Sequence, residues 1–188
     1  MGKVMDQNKI KQAVSLFLEG IGENPEREGL RDTPDRIAHM CEELFEGYKK
    51  DASKHLERTF SSEQQGLVVE KDITFFSVCE HHLLPFYGRI HIGYVPDGVV
   101  VGISKLARTV EVFARRAQIQ EQLTNQIAGA IMDTLQPKGV IVMAEAEHMC
   151  MTMRGVKKPG TKTVTVSTRG CMDDPDRKQE FFWLLSRS

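Results

Sequence analysis

The chain has 188 residues, of which 40% are hydrophobic, and this size and composition fit one globular domain with a sizeable core. Its 25 lysines and arginines nearly balance 26 aspartates and glutamates, and the net charge of −1 argues against a general nucleic-acid coat. No apolar run approaches the roughly 20 residues that span a bilayer, and the N-terminal sequence has no apolar segment typical of a signal peptide. Four cysteines in such a chain indicate a reducing, cytoplasmic compartment, where clustered Cys and His more often serve metal binding or catalysis than disulfides.

Two amphipathic helices are predicted in an N-terminal helical region that covers residues 1–50. The first begins near Asp6 and the second has Thr33 as its N-cap, and each carries apolar side chains at helical spacing. Cys41 lies on the apolar stripe of the second helix and is interpreted as a core residue. Residues 51–66 are polar and are interpreted as a linker.

The pattern changes to β at Leu67, and residues 67–188 are predicted to form a second region that carries the functional site. Strands are predicted at 67–78, 89–95, 99–101, 139–153 and 162–168, and helices from Ser104, from about residue 118 to residue 135, and after Asp174. A turn at 96–98 is predicted to join the second and third strands as a hairpin. This order of elements is typical of an α+β fold with an antiparallel sheet.

A Cys-x-x-His motif stands at the end of the first long predicted strand, in the sequence Cys79-Glu80-His81-His82. This spacing places a thiolate and an imidazole within reach of one metal ion. The motif alone is a weak signal, because a buried cysteine beside surface histidines explains it equally well.

A second cluster covers residues 148–154, His-Met-Cys-Met-Thr-Met-Arg. In an extended strand the side chains alternate, so His148, Cys150, Thr152 and Arg154 are predicted to share one face and the methionines to pack on the other. A solvated face seldom uses cysteine, which favours a functional reading.

Together, Cys79, His82 and Cys150 form a Cys₂His set suited to Zn²⁺. Three protein ligands leave a fourth position for water, as in catalytic zinc sites. A structural site would need a fourth protein ligand, which His81 or His148 could supply, and this alternative stays open. Cys41 and Cys171 have no comparable partners.

Two further segments suggest substrate contacts. Ser104 stands at a predicted helix start with Lys105 and Arg108 beside it, a pattern that favours phosphate binding but also describes an ordinary solvated basic face. Glu121 carries a carboxylate that can accept two hydrogen bonds from guanine, although a negative charge at a helix N-terminus explains it as well.

Several segments resemble the successive motifs of the GTP cyclohydrolase I family, among them Ser-Val-Cys-Glu-His-His-Leu-Leu-Pro-Phe at 77–86 and Glu-His-Met-Cys-Met-Thr-Met-Arg-Gly at 147–155. The segments 28–36, 102–108 and 115–121 complete the resemblance, which covers roughly residues 10–187. Ala117 and Gln122 depart from the usual pattern of the family.

The resemblance implies a tunnelling fold, with an antiparallel sheet, helices on its outer face and an N-terminal helical extension. It further implies a homodecamer with active sites at subunit interfaces, and hydrolysis of GTP at C8 to formate and 7,8-dihydroneopterin triphosphate. The residue roles that it implies are zinc ligands Cys79, His82 and Cys150; acid–base residues His81 and His148; guanine contacts Glu121 and Gln120; triphosphate contacts Ser104, Lys105, Arg108 and Arg154; and Arg36, reaching a phosphate in a neighbouring subunit.

Three other functions are alternatives to hydrolysis of GTP. A nitrile reductase of the queuosine pathway shares the fold but uses a cysteine nucleophile and needs no Cys₂His set. A zinc-stabilised purine- or pterin-binding protein without hydrolytic activity would be indicated by a fourth protein ligand on the metal. A nucleic-acid binder using Lys105 and Arg108 is disfavoured by the net charge of −1.

Overall fold

The computed structural model describes residues 5–187, in which a five-stranded sheet carries helices on its two faces. Residues 1–4 belong to the predicted region 1–50 and residue 188 to the predicted region 67–188, and both lie outside this description. The helices are α1 (Gln7–Gly20), α2 (Thr33–Leu44), α3 (Ser53–Leu56), α4 (Ile103–Ala114), α5 (Gln120–Leu135), α6 (Met149–Thr152) and α7 (Pro175–Ser186). The strands are β1 (Thr59–Ser61), β2 (Val68–Cys79), β3 (Pro85–Val95), β4 (Val99–Val101), β5 (Ala117–Gln118), β6 (Gly139–His148) and β7 (Thr163–Gly170).

The main sheet has the strand order β5-β2-β3-β6-β7, and every pair is antiparallel except the short β5–β2 pair. Val78 pairs with Pro85, and Phe86 pairs with His148. The C-terminal ends of β2 and β6 therefore lie at the same end of the sheet, which we call the site end. β3 ends and β6 begins at the opposite end of the sheet, where Val95 pairs with Gly139.

The core lies between one face of this sheet and the helices α4 and α5. Alternate strand residues such as Phe75, Ile90 and Ala144 point into it and are completely buried, as are Val110 and Ile127 on the helices. This alternation is the pattern expected of a sheet with one buried face, and it confirms the α+β fold with antiparallel sheet.

The other face of the sheet is covered at one end by α7. Phe181 packs there against Val95 and Ile141, and a Cβ at Gly93 would lie only 2.8 Å from the Phe181 ring. Asp174 caps α7 by accepting hydrogen bonds from two backbone N–H groups of its first turn, as the Asp-Pro sequence predicted.

The N-terminal helices are confirmed, with small differences. Asp6 caps α1 as predicted, but the residue before α2 is Asp32, and Thr33 is already helical. The interpretation of residues 51–66 as a linker is wrong, because this segment contains α3 and β1, and Leu56 is buried in the main core. A few apolar residues in a polar segment sufficed to anchor it.

The predicted hairpin of β3 and β4 is also wrong. β4 pairs with β1 in a separate two-stranded sheet, where Thr59 lies opposite Val101. The reason is that β3 already has β2 on one side and β6 on the other, so it offers β4 no free edge.

The predicted strand at 139–153 ends five residues early, at His148, and residues 149–152 form the short helix α6. The expected sharing of one strand face by His148, Cys150, Thr152 and Arg154 is therefore wrong. His148 pairs with Phe86 of β3. The residue before Phe86 is Pro85, which has no N–H group, so the ladder between β3 and β6 ends at this pair.

Within residues 5–187, no helix combines the length and the apolar character needed to cross a membrane.

Candidate active site

The side chains of Cys79, His82 and Cys150 come together at the site end of the sheet. Their ligand atoms all lie within 4.8 Å of one another, and no other group of His, Cys, Asp or Glu in the described chain satisfies this criterion. A tetrahedral zinc ion with Zn–S bonds of 2.3 Å would hold two sulfurs about 3.8 Å apart, so the three residues fit a zinc ion after a small contraction.

A tight turn between β2 and β3 presents His82 to the two cysteines. The turn is closed by two backbone hydrogen bonds, from Cys79 N–H to Leu84 C=O and from Leu83 N–H to Cys79 C=O, both 2.8 Å long. Leu83 adopts a left-handed conformation with φ 53°, which an L-residue seldom does. The surrounding hydrogen bonds thus impose this turn on the chain, as is common at functional sites.

The thiol of Cys150 is electrostatically unfavourable as an anion on its own. Burial, and then the neighbouring Cys79, raise the pKa of the Cys150 thiol. A divalent cation between the two sulfurs would reverse this effect, because a coordinating thiol loses its proton. The chemistry of the donor set therefore favours a thiolate-binding metal such as zinc.

Neither candidate for a fourth ligand belongs to this group. His148 directs Nε2 to Gln120 Oε1 at 2.8 Å, and the exposed His81 has its Nε2 4.0 Å from a carboxylate oxygen of Glu80. The geometry favours three protein ligands and an open position, the arrangement of catalytic zinc sites.

His148 is held at the end of β6 by packing and hydrogen bonding. Its ring stacks on that of Phe86 with 4.7 Å between centroids and 2° between planes. Burial lowers the pKa of His148, while the nearby Glu121 acts in the opposite direction. Glu121 itself is exposed in the first turn of α5.

Gln120 lies inside the protein, between α5 and the sheet. Its side chain is buried, and its amide donates hydrogen bonds to the carbonyl oxygens of Ala144 and Thr163 and accepts one at Oε1 from His148. Both polar atoms of this side chain have partners within the chain, and its expected contact with guanine stays a prediction. The spacing of residues in the sequence could not reveal this, because the partners come from β6 and β7.

Ser104, Lys105 and Arg108 lie in the first half of α4, whose N-cap is Gly102 and not Ser104. The C-terminal end of this helix is fixed at the site end, where Ser77 Oγ donates a hydrogen bond of 2.7 Å to Ala114 C=O. Ser104 precedes Ala114 by ten residues, about 15 Å along the helix axis. Along α4, Ser104 therefore lies about 15 Å from the site end of the helix, and Arg108, six residues before Ala114, about 9 Å from it.

The two remaining arginines are exposed. Arg154 follows α6, and its Nε donates a hydrogen bond of 3.2 Å to the carbonyl oxygen of Cys150, so it lies beside the metal group. Arg36 lies on α2 and forms a 3.2 Å ion pair with Asp32.

The fold and this site define an α+β protein with a Cys₂His group that could hold a metal ion. The model of the family described as GTP cyclohydrolase I matches residues 10–186. The protein named GTP cyclohydrolase 1 of Clostridium kluyveri is 63% identical over 166 residues, which cover 88% of this chain and 90% of the relative. That of Clostridium perfringens is 55% identical over 184 residues, covering 97% and 100%. The chain belongs to the GTP cyclohydrolase I family.

A solved structure of an archaeosine synthase, QueF-like, in the apo form covers 58% of this chain and 96% of its own. Its TM-score is 0.45 and its identity 18%. A likeness this distant carries no weight beside the family match.

Proposed function

We propose that this protein hydrolyses GTP at C8, releasing formate and forming 7,8-dihydroneopterin triphosphate, with a zinc ion held by Cys79, His82 and Cys150. The observation that carries the proposal is the open Cys₂His group at the site end of a chain that belongs to the GTP cyclohydrolase I family. The relatives that bear the name GTP cyclohydrolase 1 are similar over nearly the whole chain. Four free thiols fit a reducing compartment, and we propose a cytoplasmic location.

When bound, zinc would supply a Lewis acid that lowers the pKa of a coordinated water to about 7, so that hydrolysis can proceed at neutral pH. The histidines provide the proton transfers that ring opening requires. His81, exposed on the turn beside His82, is assigned to N7 of the purine. His148 is assigned to the ribose ring oxygen, where a proton promotes opening of the sugar.

Two exposed side chains near His148 and Cys150 are assigned to substrate binding. Glu121 accepts hydrogen bonds from N1–H and the exocyclic amine of guanine, a pairing that adenine cannot offer. Arg154 binds the triphosphate, which takes no part in bond breaking and acts by positioning the substrate. Both contacts are charge-assisted and therefore stronger than hydrogen bonds between neutral groups.

Ser104, Lys105 and Arg108 are assigned to the triphosphate bound by a neighbouring copy of the chain. What supports this assignment is the length of α4, because Ser104 lies about 15 Å and Arg108 about 9 Å along the helix from its site end. Arg36, exposed on α2, is assigned to a phosphate in a neighbouring subunit as well.

The exposed surface supports such an assembly, which we propose to be a homodecamer. The outer edge of β7 has no strand partner within the described chain, and Val164 and Val166 are exposed along it. The exposed rings of Phe76 and Tyr87, on the face of the sheet opposite the core, stack with 5.9 Å between their centroids. Phe17 on α1 is 65% exposed. Pairing of edge strands and burial of these apolar side chains would favour association.

The test is incubation of the zinc-loaded protein with GTP, followed by measurement of formate and of a fluorescent pterin after oxidation. Removal of metal with a chelator should abolish both products, and added zinc should restore them. ATP should give neither product. A zinc-loaded protein that binds GTP and leaves it unchanged would refute hydrolysis and favour the non-catalytic binding protein. Sedimentation of the same sample tests the decamer, whose mass is ten times that of the 21.3 kDa chain.

A further inference from the structure

The side chain of Gln120 is only 1% exposed, and both of its polar atoms are engaged. Nε2 lies 3.0 Å from the carbonyl oxygen of Ala144, 2.9 Å from that of Thr163 and 3.3 Å from Thr165 Oγ1. Oε1 lies 2.8 Å from Nε2 of His148. A side chain with this environment belongs to the interior of the protein.

The two backbone carbonyls decide which way the amide of Gln120 points. A carbonyl oxygen can only accept, so the atom opposite Ala144 and Thr163 must be the NH₂ group. Turning the amide around would place Oε1 against two carbonyl oxygens and leave three acceptors without a donor between them, which is costly in a buried site. The atom that faces His148 is therefore the amide oxygen, which has no proton to give.

The two neighbouring threonines leave no proton to reverse this orientation. Thr124 donates its hydroxyl proton to the carbonyl oxygen of Gln120 at 2.6 Å. The 2.6 Å contact between the hydroxyls of Thr124 and Thr165 must then use the proton of Thr165. The NH₂ group of Gln120 has two protons for three acceptors, so its longest contact, 3.3 Å to Thr165 Oγ1, shares one of them, and every hydrogen bond of the network still has one direction.

We infer that Gln120 is a positioning residue that holds His148 in one tautomer, with the proton on Nε2, so that only Nδ1 can exchange a proton with a substrate. An acceptor that faces Nε2 requires that nitrogen to be protonated.

Phe86 supports the same orientation from the side. Its fully buried ring lies parallel to that of His148, so rotation of the imidazole out of this plane would lose the stacking contact. The hydrogen bond and the stack together restrict the ring more than either would alone. The catalytic part of this inference rests on the proposed function, whereas the tautomer does not.

The first test is ¹⁵N NMR of the zinc-loaded protein with labelled histidine, at alkaline pH where the ring is neutral. The chain has six histidines, and the His148 signals are identified by their loss in His148→Ala. We expect a protonated, pyrrole-type nitrogen at Nε2 and an unprotonated, pyridine-type nitrogen at Nδ1. The opposite pattern, or an even mixture, would overturn the inference.

The second test compares Gln120→Met with Thr165→Val. The first removes the acceptor opposite His148, and the second removes a neighbouring hydroxyl while leaving that acceptor and both carbonyl partners in place. A general acid contributes about 10²- to 10⁴-fold to rate, and we expect Gln120→Met to lower kcat for GTP by about 10- to 100-fold. KM should change by less than about threefold, and Thr165→Val should keep both kcat and the ¹⁵N pattern.

A direct guanine contact would give a different result, because its loss raises KM and leaves kcat nearly unchanged. That outcome for Gln120→Met would refute the positioning role. If Gln120→Met does not fold, the wild-type and Thr165→Val spectra still decide the tautomer. If the wild type makes no formate from GTP, the proposed function fails, and the spectra judge the hydrogen bond separately.

Discussion

The metal site offers a sharp test through Cys150→Ser. The change replaces a thiol by a hydroxyl, which stays protonated near neutral pH and is a poor zinc ligand. Cys150 is half-buried in the short helix α6 at the rim of the core, so the fold should tolerate the slightly smaller atom. Metal affinity and activity are therefore expected to fall together in a folded protein.

The magnitude follows from the number of ligands. Structural zinc sites with four protein ligands bind with about 10–16 kcal/mol, or roughly 2.5–4 kcal/mol per ligand. Loss of one of the three ligands in this group should therefore weaken zinc binding by about 10²- to 10³-fold, since each 1.4 kcal/mol is tenfold. Formate production should fall below detection when zinc is not in excess.

The assay is competition for zinc with a chelator of known affinity, together with metal analysis and formate measurement. Cys171→Ser is the matched control, because Cys171 is also a half-buried free cysteine but packs against the apolar residues around Phe181 of α7. It should keep wild-type zinc affinity. Full zinc affinity in Cys150→Ser, or its loss in Cys171→Ser, would show that the ligands are assigned wrongly.

Three other changes probe separate parts of the site and the sheet. His148→Ala should keep zinc and GTP binding while accumulating a ring-opened formamide, because His148 is proposed as a proton carrier and not a ligand. Arg108→Ala should weaken GTP binding by about 10- to 100-fold, from roughly 1.5–3 kcal/mol per charged contact, with little effect on guanosine, whereas Glu121→Ala should weaken both ligands. Burial lowers the pKa of His91 from 6.5, so its contribution to stability is present above that pH and is lost as pH falls below it, and His91→Gln should show a shallower loss of unfolding free energy there.

Each of these has a result that contradicts it. Loss of zinc from His148→Ala would place that residue among the ligands and favour a structural metal site. Equal losses for GTP and guanosine in Arg108→Ala and in Glu121→Ala, measured at one salt concentration, would reject separate phosphate and base ends. Parallel pH profiles for wild type and His91→Gln in urea unfolding would assign the acid sensitivity to other groups.

The local elements were accessible from the sequence because their signals are local. Apolar spacing and caps predicted α1, α2, α5 and α7 to within a few residues, and the strand predicted at 89–95 lies within β3. The Cys-x-x-His motif and Cys150 predicted a shared metal site, and the structure brings all three together. Cys150 reaches this group from a helical turn, however, and not from the strand face that was expected.

What periodicity could not supply was the identity of non-local neighbours. β4 turned to β1 because both edges of β3 were occupied, and β6 stopped at His148 because Pro85 cannot extend the ladder. The side chain of Gln120 is buried because it donates hydrogen bonds to carbonyl groups of β6 and β7, strands that lie far from Gln120 in the sequence. The direction of α4 likewise separates Lys105 from the metal group within one chain. Hydrogen-bond partners and distances of this kind are set only when strands and helices pack, because a residue's pattern in the chain does not say which buried donor or acceptor it will meet.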